Sequence, residues 1–349
     1  MRVVRAEPLE AFAAAVLEAG GLVPEDARLT ARSLVQANLR GVDSHGVLRL
    51  IQYVRTLQAG AVKARPTVRV LQADTVTALV DADGGYGYRP ARLAMDLAVE
   101  RARLHGVGVV GVRNSHHFGM AALYVIPPAE QGFLAVMVTN ASPLLAPAGG
   151  REARVGNNPW AFGIPRRPPA RPLVLDMALS QVALGKIRLA AAEGRPIPPG
   201  WALDREGRPT TDAAEALRAG LLAPAGGYKG FGLALVAEVL AGVLTGSPFG
   251  LAADAHGRPA GGVGHLALAL DPGRFGPREA FLDGVERLAS DVLATPLAPE
   301  ADRIELPGDP EYRREEERRT HGIPISDELA GQLVALAREL GVTPPAELG

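Results

Sequence analysis

The chain's 349 residues suffice for two domains and a sizeable core, and 47% apolar with 21% charged residues excludes a disordered or fibrous protein. A net charge of −1 offers nucleic acid no general electrostatic grip, and the absence of cysteine excludes disulfides, thiol catalysis and thiolate metal sites together. No signal-peptide core opens the chain, and its most apolar stretch, 231–244, is too short to span a bilayer and is interrupted by Glu238. The expectation is a cytoplasmic protein without membrane or nucleic-acid partners.

In chain order, the opening segment predicts helices. Apolar positions recur at helical spacing over 8–18, and Pro24-Glu-Asp26 opens a second helix to 39, its acidic first turn suiting the helix dipole. A third spans 47–57. From Pro66 the texture changes, with strand composition at 67–71 and 75–80. Helices at 90–104 and 121–131 then alternate with strands at 106–112 and 133–139. A short strand at 172–175 precedes a helix at 179–192, and the Pro- and Gly-rich 194–200 reads as a surface loop. A strongly apolar helix at 229–244, a strand at 264–270, a helix at 277–293 and a helical tail from Pro307 complete the pattern. The prediction is an α/β (α+β) chain. Its core spans 67–296, and a discontinuous helical domain is built from 1–66 plus 297–349.

Gly106-Val-Gly108-Val-Val-Gly111 matches the dinucleotide fingerprint literally. That fingerprint needs a strand before it and a helix after it. Here it follows a helix and its valines read as the strand itself, so a buried glycine-rich strand is expected.

Arg40-Gly-Val-Asp-Ser44-His45-Gly46-Val-Leu-Arg49 carries more chemistry. His45 beside a glycine at a helix start suits proton transfer to a developing alkoxide, with Asp43 or Ser44 orienting its ring. Arg49, one turn on, suits a forked grip on a carboxylate. The competing reading is a helix cap with a surface histidine. Asn114-Ser-His116-His117-Phe118-Gly119 follows a strand end, where ligand sites of α/β proteins gather. Adjacent histidines point apart in extended chain, so shared zinc ligation is disfavoured and no metal is expected. Thr139-Asn140, Gly156-Asn-Asn158-Pro159 and Asp176-Met-Ala-Leu-Ser180 also sit at strand ends, where each is either part of a shared site or only a turn or cap. Lys229, among glycines at a helix start, opposes the dipole, a cost that a bound phosphate would offset.

Together these segments, with Leu306-Pro-Gly-Asp-Pro310, resemble the type-2 malate/L-lactate dehydrogenase family over nearly the whole chain. The resemblance implies a non-Rossmann NAD(P)-binding core. The implied reaction interconverts a 2-oxo acid and an L-2-hydroxy acid with NAD or NADP. It implies His45 as proton donor, Ser44 and Asp176 in its relay, and His117 as the rival acid/base. Arg49, His117 and Thr139 would face substrate. The cofactor would lie along Asn140, Asn158, Asp176, Met177, Ala178, Ser180, Tyr228, Lys229, Gly308, Asp309 and Pro310. A homodimer or higher homo-oligomer is implied. The alternatives are a metal-dependent hydrolase or lyase using His45, His116 and His117, and a non-catalytic ligand-binding protein.

Overall fold

The computed structural model describes residues 1–254 and 262–349. Strand β1 (Arg2–Val4) leads into helices α1 (Ala6–Ala19), α2 (Pro24–Leu39) and α3 (Arg49–Gln58). Strands β2 (Arg69–Ala73) and β3 (Thr77–Asp81) form an antiparallel pair, and α4 (Tyr88–His105) returns the chain to β4 (Val107–Ser115), parallel to β3. Helix α5 (Ala122–Glu130) leads to β5 (Leu134–Thr139), β6 (Trp160–Ile164) and β7 (Leu173–Met177). Next come α6 (Leu184–Ala192), β8 (Ala202–Leu203), β9 (Pro209–Thr210), α7 (Ala213–Ala219) and β10 (Leu221–Leu222). Helix α8 (Tyr228–Glu238) runs into a π turn at Val239–Val243, and β11 (Val263–Leu270), α9 (Arg278–Leu293), α10 (Asp309–His321), β12 (Ile323–Ile325) and α11 (Asp327–Leu340) complete the chain.

The architecture is mixed α/β. Seven strands form one sheet in the order β2-β3-β4-β11-β5-β6-β7, in which only β3 and β4 run parallel. The late strand β11 inserts between β4 and β5. Small residues let helix α4 press onto this sheet: a side chain at Gly108 would strike the backbone of Ala98. Gly106 caps α4 in the left-handed region at φ 90°. The glycine-rich motif thus lies in β4 and serves helix–strand packing.

A second core joins the chain's two ends. Leu9, Val16, Leu34, Leu50 and Tyr53 pack with Ile323, Ile325, Leu333 and Leu336, and β1 pairs with β12.

Several expectations need correction. The tail is not one helical run: it breaks at Gly322, where φ is 93°, into α10, β12 and α11. The helix expected over 179–192 begins only at Leu184, because Leu179 and Gln181 are held extended by Asn157, Ala223 and Ala225. Strand β6 and the small β8–β10 sheet were unforeseen, being short and flanked by proline and glycine.

Candidate active site

Past the end of α2 the chain makes a tight turn at Asp43–His45. Asn38 fixes that turn: its Nδ2 donates to Asp43 Oδ1 at 2.6 Å and its Oδ1 accepts the Val47 N–H at 2.8 Å. Gly46 packs so closely on Asn38 that any side chain would collide. Arg318 of α10 grips both Asp43 oxygens, at 2.7 and 3.0 Å. Asp43 therefore braces the turn, and Ser44 is the residue that addresses the histidine, its Oγ 2.9 Å from His45 Nδ1.

The His45 ring stacks on His117, with centroids 5.4 Å apart. His117 is anchored from behind. Tyr53 Oη lies 2.5 Å from its Nδ1, and the Gly119 N–H donates to the same nitrogen at 3.3 Å. A backbone N–H can only donate, so Nδ1 accepts and the neutral ring carries its proton on Nε2. Tyr53 Oη in turn meets Tyr88 Oη at 2.9 Å. Burial pushes both phenols above their ordinary value, while the nearby Arg49 charge draws them down. Arg49 also donates to Ser44 O at 2.8 Å and to Gln52 Oε1 at 3.0 Å.

Beside His45 opens a cleft of about 550 Å³, a size suited to a small molecule or cofactor. Its walls come from four distant segments: Arg40, Ser44 and His45; Gly119 to Ala122; Asp176 and Ala178; and Leu306, Gly308 and Pro310. Asp176 closes β7, and its Oδ2 accepts the Ala122 N–H at 2.7 Å. Asp176 is exposed at the mouth of the cleft, although protein atoms crowd around its carboxyl. That crowding raises it to about 6; Glu311 adds to the rise, while the Ala122 N–H and Arg40 oppose it.

The fold therefore brings Ser44, His45, Asp176, Ala178, Gly308 and Pro310 onto one cleft, with His117 stacked on His45. Other expected residues lie elsewhere. Thr139 is buried, donates to Gly264 O at 2.9 Å, and meets His265 Nδ1 at 2.7 Å. Asn140 and Asn158 are buried with their amides fully engaged by protein groups. Ser180 Oγ bonds Val182 O, and Asp309 Oδ2 caps its own turn at Leu306 N. Met177 packs into the core of α6 and α7. Arg49 stands off the cleft wall. Tyr228 and Lys229 are exposed at the start of α8, where Gly227 is the N-cap and no side chain caps the first-turn amides. Their loop runs beside Leu179 and Ser180 through the Ala225 N–H to Leu179 O bond and a bridge from Pro224. Uncapped amides with an adjacent lysine suit an anionic group.

Sequence reasoning missed Tyr53, Tyr88 and His265. Tyr53 had a signal, since it lies one helical turn beyond Arg49 on the same face of α3. Buried His265 had none: burial drops its pKa to about 3, so it sits neutral between Thr139 and Ser115. Among the described residues, no group of three or more His, Asp or Glu side chains is placed to hold a metal ion. No described helix is long and apolar enough to cross a membrane.

A mixed α/β chain with a histidine-lined cleft between distant segments is the setting of a small-molecule enzyme, and the comparisons specify which. The malate/L-lactate dehydrogenase family model matches residues 4–334. Malate dehydrogenase of Pyrococcus horikoshii is 36% identical, over 96% of this chain and 94% of its own length. The (2R)-3-sulfolactate dehydrogenase (NADP(+)) of Chromohalobacter salexigens is 41% identical, over 96% and 98%. The solved structure of the Pyrococcus horikoshii enzyme superposes with a TM-score of 0.90 at 34% identity, covering 99% of this chain and 97% of that one. The chain belongs to the malate/L-lactate dehydrogenase family, oxidoreductases that act on hydroxy acids.

Proposed function

We propose that the protein uses NAD or NADP to interconvert a 2-oxo acid and an L-2-hydroxy acid, with His45 moving the proton. The observation that carries this reading is the pairing of the two histidines: His45 lines the cleft, whereas His117 lies outside its wall with Nδ1 already accepting. His45 therefore cycles between imidazolium and imidazole, while neutral His117 acts as a fixed Nε2–H donor. Ser44 holds the His45 ring by Nδ1. Asp176, on the same cleft, favours the imidazolium form when ionised. Arg49, held off the cleft wall by Ser44 O and Gln52 Oε1, swings from these partners to give a substrate carboxylate its guanidinium.

When bound, the nicotinamide cofactor supplies or accepts the hydride. The cleft from Asp176 and Ala178 to Gly308 and Pro310 would hold its body, and the uncapped start of α8 with Lys229 would hold phosphate. That placement keeps the cofactor away from the glycine-rich β4, a non-Rossmann arrangement. The terminal segments 1–66 and 297–349 act as the unit that carries His45 onto the core at 67–296. The active particle is a homodimer, a reading supported by the exposed apolar side chains of α8 and its π turn.

His45→Gln tests the assignment. Turnover followed by NAD(P)H absorbance with a panel of 2-oxo acids should fall by about 10²–10⁴, with cofactor binding retained. Reduction in the unaltered enzyme should decline as pH rises and His45 loses its proton, and oxidation should show the opposite trend. Should His117→Ala abolish turnover while His45→Gln stays active, the roles are reversed.

A further inference from the structure

Glu238 ends α8 buried at 4% exposure, yet its three hydrogen-bond partners among the described residues are all N–H donors. Oε1 accepts from Asn140 Nδ2 at 3.0 Å and from the Gly250 N–H at 2.9 Å. Oε2 accepts from Asn158 Nδ2 at 2.6 Å. Neither amide is free to turn over. Asn140 Oδ1 accepts the Gly264 N–H at 2.8 Å while its Nδ2 also reaches Pro248 O. Asn158 Oδ1 accepts the Ala141 N–H at 2.9 Å while its Nδ2 also reaches Ala234 O. Each amide is thus fixed by backbone groups at both ends, and both aim N–H at Glu238. A carboxylate, accepting at both oxygens and donating nothing, matches that ring of donors.

The connection has a direction. Asn158 lies between Asn157 and Pro159, both on the cleft wall. Asn140 follows Thr139, the last residue of β5. Helix α8 begins at Tyr228 and Lys229 and ends at Glu238. One carboxylate therefore ties the helix to the cleft-wall segment 157–159 and to the end of β5.

We propose that Glu238 is a positioning residue for the cofactor: its carboxylate ties α8, whose start carries Lys229, to segment 157–159 of the cleft wall and touches no ligand itself. The inference rests on the function proposed above. Glu238→Gln is nearly isosteric but points one N–H at an N–H, and relief by turning either asparagine would strip a backbone N–H of its acceptor.

The experiment is NADH and NADPH fluorescence titration of the unaltered protein and Glu238→Gln, with KM and kcat and a thermal melt confirming folding. The dissociation constant and the cofactor KM should rise about tenfold, the scale of one charge-assisted hydrogen bond, with kcat little changed. A folded Glu238→Gln protein that binds cofactor like the unaltered one overturns the proposal. If the unaltered protein itself binds neither cofactor, it is the proposed function that fails.

Asn158→Asp covers the case in which Glu238→Gln does not fold. Two carboxyls at that spacing share one proton, and the proton restores the link. Cofactor affinity of Asn158→Asp should recover as pH falls, whereas the unaltered protein shows no such recovery. Identical pH profiles for the two proteins overturn the proposal.

Discussion

Asp176 illustrates how a single side chain is set by its surroundings and what that costs. Crowding raises its carboxyl from 3.8 to about 6. Between those values the folded chain holds the proton more tightly than the unfolded chain does. Stability from that proton is complete below about pH 4 and is lost as pH rises through 6. Asp176→Asn removes the loss, so its Tm should exceed that of the unaltered protein near pH 8, with the gap closing toward pH 4 in paired melts. The same variant should turn over poorly, a stability gained at the expense of function. Equal Tm differences at both pH values would show that the carboxyl ionises at its ordinary value. Asp176 and His45 were legible because each stands in a short motif at an element boundary. The Tyr53–His117 contact was not, because its partners lie 64 residues apart and periodicity reports only neighbours on one element.

Among elements, the joint between α2 and α10 bears directly on the cleft. Arg40, at the C-terminal end of α2 and on the cleft wall, pairs with Glu315 of α10 at 3.1 Å, with both side chains buried. Burial alone would raise Glu315, but Gln36, Arg319 and Arg40 outweigh it and hold the carboxyl below its ordinary value. Glu315→Ala leaves the Arg40 guanidinium buried without its anion, which costs about 3–5 kcal/mol. Urea unfolding should show that loss, and a cost under about 1 kcal/mol would mean that the pair contributes no more than a surface bridge. The sequence displayed α2 as a helix through Pro24 and its acidic first turn, and a helical tail from Pro307 with the mixed charge of 313–319. It could not display their meeting. The position of β11 between β4 and β5 was hidden for the same reason, since strand order depends on contacts remote in sequence. The shortened α6 was hidden by tertiary hydrogen bonds that override a helical composition.

For the molecule as a whole, one exposed apolar surface lies on α8 and its π turn. Leu235, Val236, Val239 and Val243 recur at helical spacing and each is about half exposed, at 47–48%. A helix apolar on every side is ordinarily buried, so a second copy is the proposed cover. Val239→Asp should convert a dimer to a monomer in analytical ultracentrifugation without changing the circular dichroism spectrum. A monomeric unaltered protein would refute that reading.

Arg318, which holds the turn of His45 through Asp43, comes late in the chain, and the core around α1 to α3 draws on Leu333 and Leu336. Time enters here. During synthesis the turn that carries His45 emerges well before its clamp, since Asp43 and Arg318 lie 275 residues apart. Every growing intermediate short of that clamp relies on the neighbouring Asn38 to hold the His45 turn, and the Arg318 fork completes the brace from a remote helix.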